Sequence, residues 1–366
     1  MNGSKLALGA VGVLAAATAL ARRGSLAAAD SEYEIEVWYD TVRPFVLEGA
    51  SHMEKQVGRP VSEQESLSVM ASNMRKRGGD IEAMNLSHAH VWIDAGKQVF
   101  AVGPALREMF VNTGLEKVPR RAIALPYTSF AVALPACPWR LWSQSQGWHE
   151  VRWVWVVQAS PSMFSVMMIA PHEGRPGEFS SGVWSMDLDE VYGSGGDLES
   201  YLSVRMAESF RAKQGVPSSV QVEVSETHIL FLRVLVNLLL YLQSNGADLV
   251  KDESFLAQIA RAKQIEIEKK RTRKPKLIRR LERESSKLSG ATVTWLGRRI
   301  EREAARQAVS EPGSRRAMRR HWVRGHWKWP ARKTDRKLTW VMPYERGGRG
   351  QSVTGRTYRV REPSGE

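Results

Sequence analysis

A single cysteine, Cys137, is present among 366 residues. That excludes an internal disulfide and leaves a thiolate zinc site without ligands. Cys137 stands between Pro135 and Pro138 with no histidine near it in sequence, and it reads as an inert thiol. The chain has no phosphate-binding Walker loop, no dinucleotide fingerprint, no Gly-x-Ser-x-Gly elbow and no His-Glu-x-x-His pair. These absences give little support to an enzyme. No internal repeat is visible, which argues against a solenoid. Carboxylates are in deficit, with 39 Asp and Glu against 53 Lys and Arg.

What is present is ordinary globular material with an uneven charge. Hydrophobic residues make up 43% and charged residues 25%, which excludes a wholly disordered chain and a polytopic membrane protein. From Arg261 to Glu366 there are 31 basic and 11 acidic residues; the preceding part has 22 and 28. An acidic body therefore carries a basic C-terminal third, the footprint expected for a polyanionic partner or an acidic protein face. The alternative is a solvated tail docked on its own body. Residues 6–21 form an apolar stretch like a secretory core, but Arg22 and Arg23 follow it, on the side that opposes export. Its length falls short of the ~20 residues of a spanning helix. The expectation is a cytoplasmic protein, with export or anchoring through residues 6–21 as the alternative, and residues 1–30 are set aside as an extension.

Residues 31–250 read as an α+β body with a mostly antiparallel sheet and packed helices. The pattern predicts helices over 32–57, with a bend or restart at Pro44, and over 62–77, opened by the Ser62/Glu65 capping box and closed by Gly78-Gly79. Strands are expected at 90–93 and 97–102 around a hairpin-like turn, then at 122–125, 128–134, 151–158 and 162–170. Residues 104–110 read as a short helix and 171–196 as loop. Further helices are expected at 197–213 and 226–244, the latter apolar nearly all round and hence a buried central helix rather than a span, since Arg233 and Asn237 interrupt it. Residues 251–310 read as basic charged helices: one to about Arg273, a break at Pro275, then 276–287 and 292–309. Residues 311–346 read as a Trp/Arg-rich hairpin with arms 318–329 and 337–344, and 347–366 as a flexible end.

The basic and aromatic C-terminal block is the strongest candidate for function. Arg319, Arg320, His321, Trp322, Arg324, His326, Trp327, Trp329 and Trp340 combine cations for phosphates with flat faces for unpaired bases. One face of such a hairpin must pack on something, so part of the tryptophan set can equally be core. Lys269, Lys270, Arg271, Arg273 and Lys274 form the densest charge run. Metal sites are weaker candidates: His88 and His90, two apart on one strand face, lack a third ligand, and Asp187 and Asp189 beside Glu190 suit Mg²⁺ in a nuclease but equally a solvated loop. No cofactor and no small-molecule substrate are implied, and a membrane partner is not expected.

Arg324-Gly325-His326-Trp327, followed by a strand with Trp340 and Pro343, resembles the C-terminus of the second family of type V-A anti-CRISPR proteins. Residues 106–132 are similar to that family's helix, proline-containing turn and apolar strand, and residues 226–250 to its leucine-rich helix. The resemblance implies a regulatory binding protein that lowers a type V-A CRISPR nuclease by recognising its nascent N-terminal peptide and triggering messenger decay. RNA or the translating ribosome would then be a partner. It carries over no catalytic residues. The extension at 1–30 and the basic helices of 251–309 depart from the family pattern. A metal-dependent nuclease, or a general nucleic-acid-binding protein of a mobile element, is the alternative.

Overall fold

The computed structural model describes residues 37–302, apart from 116–117, 144–145, 174, 176–177, 194–196, 213–215, 246, 286 and 289, and beyond 302 the backbone of five short strands. The expected extension at 1–30 and the linker at 311–314 lie outside the described residues.

Three helices open the fold: α1 (Trp38–Val57), α2 (Glu63–Lys76) and α3 (Asp80–Asp94). Pro44 does not restart α1, because it sits in the second turn and removes only the bond to the Asp40 carbonyl. The capping box forms as expected, with both Ser62 and Glu65 hydrogen bonds made. Residues 90–93 are not a strand. They are the last turn of α3, whose first turn carries Asp80 and Glu82 on the favourable end of the helix dipole.

The chain continues through β1 (Gln98–Val102), α4 (Pro104–Val111), β2 (Ser129–Ala133), β3 (Arg140–Ser143), β4 (Gly147–Glu150), β5 (Trp153–Gln158), β6 (Met163–Pro171) and β7 (Phe179–Asp187). The expected strand at 122–125 does not form: Arg120–Ala122 make one 3-10 turn, and 123–125 run on without pairing to any strand among the described residues. β7 lies where the sequence reads as loop. Then come α5 (Leu188–Gly193), α6 (Leu198–Ala212), α7 (Ser218–Leu242), β8 (Ser244–Asn245), β9 (Leu249–Lys251), α8 (Glu253–Arg271), α9 (Pro275–Ser285) and β10 (Thr292–Leu296). Residues 292–296 are thus strand rather than helix, because Val293 and Trp295 alternate onto one buried face. The C-terminal strands are β11 (His321–Val323), β12 (His326–Lys328), β13 (Thr339–Val341), β14 (Tyr344–Arg346) and β15 (Thr357–Val360).

Seven strands form one mixed, mostly antiparallel sheet in the order β7-β6-β5-β2-β1-β10-β9. Only β1 pairs in parallel, with β2 and β10. The expected boundary at 250 therefore falls inside β9, and β10 joins the same sheet as the body. One face packs on α1–α3, the other on α4, α6 and α7, and the alternation of β5 serves both: Trp153 and Trp155 face the first layer, Val154 and Val156 the second. Trp92 of α3 meets Trp153, Trp155 and Tyr39 edge-on at 6.2, 5.2 and 5.6 Å, and Trp155 Nε1–H donates to Asn85 Oδ1 at 2.8 Å. Much of the chain's tryptophan is thus core rather than stacking surface.

α7 is long and apolar enough to cross a membrane, but 72% of its most apolar window is buried inside the fold. Its polar residues have structural work. Asn237 Nδ2 donates to the carbonyls of Phe110 and Thr113, and Arg233 pairs with Glu199 of α6 at 2.7 Å.

Candidate nucleic-acid interface

Asp252 starts α8. Its carboxylate accepts from Ser254 N and from Trp295 Nε1, at 3.0 and 2.9 Å, which ties the helix to β10. Burial pushes the Asp252 carboxyl up, yet these donated bonds outweigh it and hold the group below its ordinary value. At the far end, Lys269, Lys270 and Arg271 fill the last turn, where cations complement the helix dipole. Thr272 turns the chain out of the helix, and Pro275 opens α9 at the position where its missing N–H costs nothing.

The two helices form a hairpin closed by a small apolar seam and one polar clasp. Ile265 and Leu281 are fully buried. Arg261 reaches Glu284 across the pair at 2.6 Å and Glu268 on its own helix at 3.1 Å. Those contacts leave the bend projecting outward. Lys270, Arg271, Arg273 and Lys274 are exposed there, as are Lys276, Arg279 and Arg280. Lys269 is half-buried and pairs with Glu266 at 3.3 Å. Between Lys269 and Arg283 nine cations face a single carboxylate, Glu282. A charge density of this kind, on a rigid hairpin with few internal counter-ions, suits a run of phosphates.

The C-terminal block is a hairpin, as expected from the sequence. β12 pairs antiparallel with β13, setting Trp327 opposite Trp340, and β11 pairs with β14, setting Trp322 opposite Glu345. The end read as flexible supplies β15, which bonds to β13 and to β8 at the end of α7. His321, Trp322, His326, Trp327 and Trp340 thus have a backbone position, while Arg319, Arg320, Arg324 and Trp329 lie outside the described residues. β8 and β9 connect this small sheet to the start of α8, so both basic segments branch from the same end of α7.

The metal candidates are not brought together. His88 and His90 sit on α3, not on a strand, and two residues along a helix place them on different sides. His88 is buried, with Nδ1 on the Met84 carbonyl at 2.8 Å; His90 Nε2 reaches Asp94 at 3.3 Å. The acidic trio diverges as well. Asp187 accepts from Asp189 N, Asp189 pairs with Arg120 at 2.7 Å, and Glu190 takes Arg205 and the Tyr201 hydroxyl. Among the described residues no group of three His, Cys, Asp or Glu is arranged to hold a metal. Cys137 is buried, and burial pushes its thiol up to about 11, which makes it a poor nucleophile.

A family model described as AcrVA2-like, the anti-CRISPR type V subtype A2 family, matches residues 100–344, from β1 through the start of β14. The chain belongs to this family. The AcrVA2-like match includes α7, the basic hairpin of α8 and α9, and the Arg-Gly-His-Trp segment, while α1–α3 lie before it. Among solved structures, the crystal structure of AcrVA2 aligns with 84% of this chain and 96% of that chain, at 11% identity and a TM-score of 0.40. No curated protein sequence matches the chain. Anti-CRISPR membership thus rests on the family match.

Proposed function

We propose that this anti-CRISPR family member lowers the amount of a type V-A CRISPR nuclease during its translation. It recognises the nascent N-terminal peptide of the nuclease and triggers decay of the messenger, while its basic segments hold RNA or the ribosome. The observation that carries the RNA part is the exposed bend at Lys270, Arg271, Arg273 and Lys274. A protein working on translating ribosomes meets phosphate everywhere, and counter-ion release makes such contacts effective without sequence readout. The C-terminal block adds Trp322, Trp327 and Trp340, whose stacking on unpaired bases is worth about 1–3 kcal/mol per base where the rings are exposed. The reading needs no catalytic residue and no cofactor in this chain. It places the protein in the cytoplasm of a bacterium.

The test is a two-messenger assay in bacteria. The protein is co-expressed with a type V-A nuclease gene and with a synonymous-codon version of it, and both messengers are quantified. Loss of both, abolished by a frameshift in the first codons of the nuclease, is the expected result, because peptide rather than RNA sequence is then what is read. Unchanged messenger overturns the proposal.

A further inference from the structure

The two edges of the large sheet are built differently. β9 ends one side with only three residues and a lysine, Lys251, in the way natural edges are blunted. β7 ends the other side with nine residues, no proline, no lysine and no bulge, in unbroken register with β6. Its ladder phase follows from the flanking bonds: His172 N–H donates to Glu178 O at 3.0 Å, and Leu188 N–H to Ser162 O at 2.8 Å. Alternate pairs bond in an antiparallel ladder, so residues 180, 182, 184 and 186 turn their backbones toward β6. Phe179, Ser181, Val183, Ser185 and Asp187 turn theirs outward. All five are partly or fully exposed, whereas Ser180, Gly182, Trp184 and Met186 are buried. Among the described residues no strand pairs with this outward row.

Beside the aspartate half of that edge runs α6, and the space between them is a groove of about 420 Å³. Met163, Trp184 and Met206 give it an apolar lining; Tyr201, Asp187 and Glu190 give it a polar rim. The buried Trp184 indole N–H meets no acceptor among the described residues. Arg205 lines the groove as well but is engaged by Glu190 and Glu208, whereas Asp187 makes no ion pair among the described residues.

We infer that the β7 edge and this groove bind an extended peptide by strand addition, with a large apolar side chain in the groove and a lysine or arginine against Asp187. A row of alternating donors and acceptors is complementary to another strand, and the adjoining groove supplies side-chain choice. A second copy of the chain fits less well. Of the two aromatics of β7, Trp184 is buried and Phe179 is already seated edge-on against Trp38 at 5.5 Å. The inference does not depend on messenger decay: it concerns a peptide site at the sheet edge, and its test contains no nuclease.

Random dodecapeptides displayed on phage are selected against the full-length protein, and one enriched peptide is synthesised and titrated by fluorescence anisotropy. Enriched peptides should share an apolar residue near a lysine or arginine. Ser185→Pro removes one outward N–H and leaves every bond to β6 in place, so it should weaken binding about tenfold or more while the melting temperature holds. Asp187→Asn should weaken binding of a lysine-containing peptide and leave its lysine-to-norleucine analogue unchanged. Amide exchange by NMR should show Ser181, Val183 and Ser185 open in the free protein and protected by the peptide. Three outcomes overturn the inference. One is no enrichment. The second is binding untouched by Ser185→Pro. The third is protection of those amides before peptide is added, which means that the edge is covered by the chain's own segment or by a second copy, the latter recognised by sedimentation.

Discussion

Arg107 is 6% exposed, and its guanidinium donates to the carbonyls of Pro135 and Ala136 at 2.9 and 2.8 Å while lying over the Trp139 ring. It holds a loop in which Ala136 adopts a left-handed φ of 47°. Arg107→Met keeps much of the stem but removes both donors, and it should cost about 1–3 kcal/mol in urea denaturation. The stacked pair His149 and His172, 4.0 Å between ring centroids, sets a pH dependence. Burial and the charge of His172 both push His149 below its ordinary value of 6.5, and burial does the same to His88 against the pull of the Met84 carbonyl. The unfolded chain therefore binds protons that the folded chain refuses. Stability should be complete above about pH 6.5 and fall as the pH drops from there toward the lower folded values. Urea midpoints from about pH 7.5 to 5.5 check this. His149→Phe, which keeps a flat ring without a proton to gain, should flatten the decline, and an unchanged profile would assign it to other groups.

Gly182 explains both the packing of β7 and its invisibility in the sequence. A Cβ there would lie 2.4 Å from His228 Nε2, and the His228 ring is fixed through Nδ1 on the Val224 carbonyl at 2.6 Å. Gly182→Ala should thus destabilise by about 1–3 kcal/mol, read as a lowered melting temperature. The same close approach removes an apolar residue from the buried face of the strand. FSSGVWSMD then has serines and a glycine where alternation would reveal a strand, and it reads as loop. β5 was legible because both of its faces are buried and filled with Trp and Val. Residues 90–93 misled for another reason: VWI is β-branched and aromatic locally, but the helix is settled by the whole run from Asp80 and by Trp92 packing on Trp153 and Trp155. The basic bend was legible as a charge run, since exposed cations need no tertiary partner. The peptide groove was not, because it exists only where β7, β6, α5 and α6 meet.

At the scale of the molecule, the peptide groove lies at one sheet edge, and the helix that carries the basic bend at its far end starts from the other. β7 borders the groove, and β9 leads directly into α8 and the basic bend. Six strand spacings separate those edges, roughly 29 Å at ~4.8 Å each. A separation beyond the ~8 Å screening length at physiological salt leaves no direct charge coupling between them. The molecule can then hold phosphate on one side and an extended peptide on the other at the same time. Replacing Lys270, Arg271, Arg273 and Lys274 together by Gln should lower affinity for single-stranded RNA and reduce the salt slope by about 3, at ~0.7 per phosphate contact. It should leave the affinity for the selected peptide unchanged. Conversely, Ser185→Pro should leave RNA binding and its salt slope intact. Combining the five substitutions should then give losses that add in free energy, as distant sites with no shared partner do. Anisotropy with labelled RNA and labelled peptide on the four proteins measures this directly. A peptide affinity that follows the charge substitutions would mean that the basic bend reaches the same ligand, and the two surfaces would have to be read as one.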